Sequence, residues 1–90
     1  MTELLKTARE IAKSMTNVKF IVNNNFDKVF VNFFISDGEN TIAADSIDGY
    51  FTVNGKKINF PYYAQERKRL ISFVESFAKN HKYEYGLNPM

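Results

Sequence analysis

Three dipeptides, Asp37-Gly38, Asp48-Gly49 and Asn54-Gly55, punctuate residues 37–55 of this chain. Each joins a short polar residue that tolerates left-handed backbone to a glycine that adopts it freely, the pairing that closes two-residue β-hairpins. Apolar and polar residues alternate between the turns, the period of a strand with one buried face. The stretch therefore predicts an antiparallel meander of four to five strands, with Asn24–Asp27 in NNNFDK closing a first hairpin through a four-residue loop.

Even-length loops fix the register. They set Val22 against Val29, Phe20 against Val31, Phe33 against Ile42, Ser46 against Phe51, Ala44 against Val53 and Phe51 against Ile58. One face then collects Val18, Phe20, Val22, Val29, Val31, Phe33, Ile35, Ile42, Ala44, Phe51, Val53, Ile58 and Phe60, and a one-residue slip at any turn would scatter that set. The opposite face mixes aromatic and apolar groups with lysine and asparagine: Lys19, Ile21, Lys28, Phe30, Asn32, Phe34, Thr41, Ala43, Asp45, Ile47, Tyr50, Thr52, Lys57 and Asn59.

Helical periodicity brackets the meander. Leu4, Leu5, Ala8, Ile11, Ala12 and Met15 recur at helical spacing over residues 2–15, with Thr2 placed to cap and Glu3 suited to the positive N-terminal end. After Pro61 a second stripe of Leu70, Phe73, Val74, Phe77, Ala78 and His81 predicts a helix running to about His81. Two helices with one apolar stripe each and a sheet with one apolar face pack as a two-layer α+β domain, both helices on the same side. A single domain over residues 1–90 is expected, with 82–90 as a loosely ordered tail.

Composition removes several functions. With no cysteine there are neither disulfides nor thiolate chemistry, and nine Phe and five Tyr must supply the packing. No apolar run approaches the roughly 20 residues of a membrane helix, so a cytoplasmic protein is expected. Abundant Phe, Tyr, Ile, Asn and Lys beside scarce Gly, Arg and Pro suit an AT-rich genome, such as that of a low-GC bacterium or its phages.

Catalytic groups are sparse. The only histidine, His81, falls on an apolar stripe, where packing and the helix C-terminus account for it. Asp37 and Asp48 serve turns, no zinc set, calcium loop or phosphate-cradling glycine loop is present, and neither a metal nor a cofactor is expected. An enzyme is the least supported class.

The order helix, antiparallel strands, helix resembles the double-stranded-RNA-binding domain, whose final helix opens on a lysine-rich, glycine-containing segment that grips phosphates. The corresponding stretch here, PYYAQERKRL, is basic but lacks the glycine and the paired lysines, and the meander has five strands rather than three.

Two readings follow from the outer face. Phe30, Phe34, Tyr50, Ile21, Asn32 and Lys57 would anchor a protein partner, making the chain an adaptor or an inhibitor, for instance a phage-encoded inhibitor of a host enzyme. Alternatively, Lys19, Lys28, Lys57 and Arg67, Lys68 and Arg69 would track phosphates while the aromatics stack on bases. A homodimer through the same face is compatible with either.

Overall fold

The computed structural model describes residues 2–22, 32–45, 48–61 and 65–82, and the backbone of 84–85. Helix α1 (Thr2–Lys13) leads into strands β1 (Lys19–Val22), β2 (Asn32–Ser36), β3 (Thr41–Asp45), β4 (Tyr50–Val53) and β5 (Lys56–Asn59). Helix α2 (Gln65–Ala78) and a short strand β6 (Glu84–Tyr85) follow. The sheet order is β5-β4-β3-β2-β1-β6. The five-strand antiparallel meander is thus present, and both helices lie against one face of it.

The core explains that placement. Leu5 and Ala8 of α1 and Leu70, Ile71, Phe73, Val74 and Phe77 of α2 are buried in one cluster with Phe20, Val22, Phe33, Ile35, Ile42, Ala44, Phe51 and Val53 of the sheet. Phe77 meets Phe20 edge-on with ring centroids 4.9 Å apart, and Phe73 lies 6.0 Å from Phe33, so α2 covers β1 and β2. Leu4 and Thr7 of α1 border Val53 and Ile58, so α1 covers β4 and β5. The helices run side by side in the same direction: Arg69 Nη1 donates to Thr2 Oγ1 at one end, and His81 reaches the Met15 carbonyl at the other.

The predicted strand pairings need correction at three of four hairpins. Val22 faces Phe33 and Phe20 faces Ile35, so β1 pairs four residues further along the chain than expected. Phe33 faces Ala44 and Ile35 faces Ile42, and Ala44 faces Phe51 while Ile42 faces Val53, each displaced by two residues. Only Phe51 against Ile58 stands as read.

At the β2–β3 and β3–β4 connections the physical reason lies in side-chain hydrogen bonds that lengthen the loops. Asp37 Oδ1 accepts the amides of Glu39 (2.9 Å) and Asn40 (2.7 Å), making 37–40 a four-residue loop instead of a two-residue turn. Asp45 Oδ1 accepts the Asp48 amide and the Asp45 carbonyl accepts the Gly49 amide, so the next turn also spans four residues. Asn54-Gly55 is the true two-residue turn, with φ of 50° and 88°.

Every displacement is even, so each side chain keeps its expected face. Val18, Phe20, Val22, Phe33, Ile35, Ile42, Ala44, Phe51, Val53, Ile58 and Phe60 all belong to or pack on the core. Val29, Val31 and Ser46 lie outside the described residues.

Two smaller differences concern the C-terminal part. Helix α2 stops at Ala78 instead of reaching His81. Within the stretch read as a loose tail, Glu84–Tyr85 pairs in parallel with Ile21–Val22, while 83 and 86–90 lie outside the described residues.

Candidate interaction surface

Strand alternation sends Ile21, Phe34, Ala43, Thr52 and Lys57 to the face away from the helices, and the register sets them side by side in one row across all five strands. A parallel row holds Asn32, Asp45, Tyr50 and Asn59, and a third holds Lys19, Ser36 and Thr41. Phe34 on β2 and Tyr50 on β4 are two strands apart, about 10 Å. Small Ala43, on the strand between, is itself buried.

Burial along these rows separates contacts from supports. Ile21, Phe34, Tyr50 and Thr52 are half-buried, and Lys19, Lys57 and Asn59 are exposed. Asn32, expected to meet a partner, is only 8% exposed, and its Nδ2 donates to Asp45 Oδ2 at 3.2 Å. It braces the buried Asp45 carboxylate, which also accepts the Asp48 amide. That bond gives Asn32 a supporting role within the sheet. Phe30 and Lys28 lie outside the described residues.

Two charges on this face, Lys57 and Asp45, are already engaged. Lys57 Nζ stands 4.8 Å from the centre of the Tyr50 ring, a cation–π contact worth about 0.5–1 kcal/mol at an exposed site. Burial raises the Tyr50 phenol above the usual tyrosine range, and the negative charges of Asp45 and Asp48 push it the same way. The folded state therefore favours the neutral phenol: its stabilising contribution is complete below about pH 10, the ordinary tyrosine value, and is lost as pH rises through the raised one. In an NMR titration Tyr50 is expected to ionise above the ordinary tyrosine value, and Asp45→Asn is expected to bring it back toward that value. A Tyr50 that titrated normally in the native chain would show that the ring is more open than the geometry indicates.

The remaining basic candidates fall on the helical layer. Arg67 is half-buried, Lys68 is exposed, and Arg69 bonds Thr2 of α1. The structure does not bring Lys19, Lys57 and the 67–69 segment together, because the first two lie on the sheet face away from the helices and the last on α2.

Sequence reading missed two polar features. Asn54 does more than make its turn: its Oδ1 accepts the Thr41 amide at 2.7 Å and its Nδ2 donates to Asn40 Oδ1 at 2.8 Å, stitching the β4–β5 turn to the β2–β3 loop. Nothing local in the sequence marks such a bond between residues fourteen apart. His81 stacks on Phe77, centroids 3.9 Å apart with the rings nearly parallel, with Nδ1 3.2 Å from the Phe77 carbonyl and Nε2 3.3 Å from the Met15 carbonyl. A neutral imidazole has one N–H and donates to one of the two at a time.

His81 thus clips the C-terminal ends of both helices. His81→Ala is expected to lose the stack and one hydrogen bond, about 1–2 kcal/mol together, measured by urea unfolding. A change near zero would mean that the clip holds nothing.

Among the described residues no group of three or more His, Cys, Asp or Glu could hold a metal ion, and no helix is long and apolar enough to cross a membrane. Comparison with protein-family models, curated proteins and solved structures finds no match.

Proposed function

We propose that the chain is a non-enzymatic protein-binding module, an adaptor or inhibitor, that works through the sheet face carrying Ile21, Phe34, Tyr50 and Thr52. The observation that carries this reading is the pair Ile21 and Phe34, half-buried, apolar and in register on the side of the sheet that neither helix covers. Half-exposed aromatics at the centre with lysine and asparagine at the edges match the anatomy of a protein interface.

A polyanion suits this face less well. The Asp45 carboxylate lies near its centre, beside Tyr50, and Lys57 rests on that ring, so a phosphate approaching the aromatics meets negative charge and an occupied ammonium.

The test is quantitative capture followed by affinity measurement on the recovered protein. Phe34→Ala is expected to weaken that complex about 30-fold, the scale of a central anchor. An unchanged affinity would remove this face from the account. A concentration-dependent doubling of mass, abolished by Phe34→Ala, would assign the face to a second copy of the chain.

A further inference from the structure

The net charge of +2 hides a partition. Lys6, Arg9, Lys13, Arg69, Lys79 and Lys82, half of the chain's twelve lysines and arginines, line three adjoining clefts on the helical layer that together form a basic trough. Its sections share Arg9 and Lys13 at one junction and Asn80 and His81 at the other, so it extends from Thr2 and Arg69 along the helix seam to Lys82. Glu10 is the single acidic residue lining it. Asp37, Glu39, Asp45 and Asp48 belong to the sheet and its loops.

Helix ends explain only part of this. Cations are favoured beside helix C-termini, which accounts for Lys13, Lys79 and Lys82. Lys6 and Arg69 sit in the N-terminal halves of their helices and Arg9 in the middle of α1, where the dipole gives cations no advantage. Only Lys13 among the six makes an ion pair with a described residue, to Glu10 at 3.4 Å, and both partners are well exposed. Arg69 donates to Thr2 Oγ1, and the like charges gathered beside these two pairs repel one another, a repulsion that a bound anion would relieve.

We propose that this trough binds the phosphodiester backbone of a single nucleic-acid strand. Lys6, Arg9 and Lys13 recur at spacings of three and four, one stripe of α1 rising about 10 Å from first to last. A row of that length suits a chain of phosphates better than one small anion. The facing wall of α2 offers Ser72, Ser76 and Asn80, all exposed, at helical spacing. Neutral hydrogen-bonding groups of this kind commonly contact phosphate and sugar. Between the walls Phe73 and Phe77 are buried, so the floor offers no ring face for base stacking and the contacts fall on the backbone. The site lies across the domain from the proposed protein-binding face, and neither depends on the other.

The experiment is anisotropy of labelled 20-nucleotide single-stranded RNA and DNA at about 50 and about 200 mM salt, with the full chain. Engagement of three or four phosphates predicts a fall of about 20- to 50-fold in affinity between the two salts. Arg9→Gln with Lys13→Gln, both exposed, is expected to weaken binding at least tenfold at low salt and to flatten the salt slope by about 1.4. Circular dichroism melting would check that this pair still folds. Lys19→Gln with Lys56→Gln removes the same charge away from the trough and is expected to leave affinity within twofold. Absence of binding at low salt, or equal losses in both double variants, would overturn the proposal.

Discussion

Phe33→Ala is expected to cost about 3–5 kcal/mol, a large part of the roughly 5–13 kcal/mol that holds a domain of this size. Phe33 is fully buried in the middle of the sheet, opposite Val22 on one side and Ala44 on the other, with the Phe73 ring of α2 above it. Deleting the ring leaves a hole bounded by three strands and a helix, none of which can collapse into it without breaking its own ladder. The next residue gives the contrast. Phe34 points away from the helices, and Phe34→Ala is expected to cost about 1 kcal/mol while weakening partner binding. Urea unfolding of the two variants side by side checks both. If Phe34→Ala proved as destabilising as Phe33→Ala, its face would be packed in the free protein and not open to a partner.

Gly49→Ala is expected to cost about 3 kcal/mol or more, against about 1–2 kcal/mol for Gly55→Ala. Both glycines have positive φ, 78° and 88°, so each substitution carries the penalty of left-handed backbone. Around Gly55 there is open space, whereas a Cβ on Gly49 would overlap the Phe60 carbonyl oxygen. That carbonyl cannot easily withdraw, since the Phe60 amide donates to the Gly49 carbonyl at 2.8 Å and the Phe60 side chain is part of the core. Thermal unfolding of Gly49→Ala and Gly55→Ala compares the two losses. Equal losses would show that the close approach of the two backbones yields without resistance.

Which residues face the core was legible in the sequence, and which residues face each other was not. Period-two alternation fixes the side on which Phe20, Ile35 or Phe51 lies, and any even change of loop length preserves it. Loop length was decided elsewhere, by Asp37 and Asp45 accepting amides two or three positions on, an option that an Asp-Gly pair leaves open. Asn54-Gly55 had no such competitor and read correctly. At the surface, Phe34 and Tyr50 were legible from alternation alone. The burial of Asn32 was not, because it depends on meeting Asp45 thirteen residues later. The trough was also hidden: its cations come from both ends of the sequence and share a surface only because the two helices run in the same direction.

The pairing of the first helix with the last has a consequence for synthesis. Leu5 and Ala8 are made before any of the strands, yet they are buried in one cluster with Val53, Phe51 and Leu70. Until α2 leaves the ribosome, α1 has no neighbour along its seam and the β1–β2 half of the sheet has no cover. Contacts so distant along the chain must close large loops before they return any stability, which slows folding. A chain halted after β5 would therefore display the apolar side of the β1–β2 half of the meander, making the last helix the step that converts a sticky nascent sheet into a protected domain.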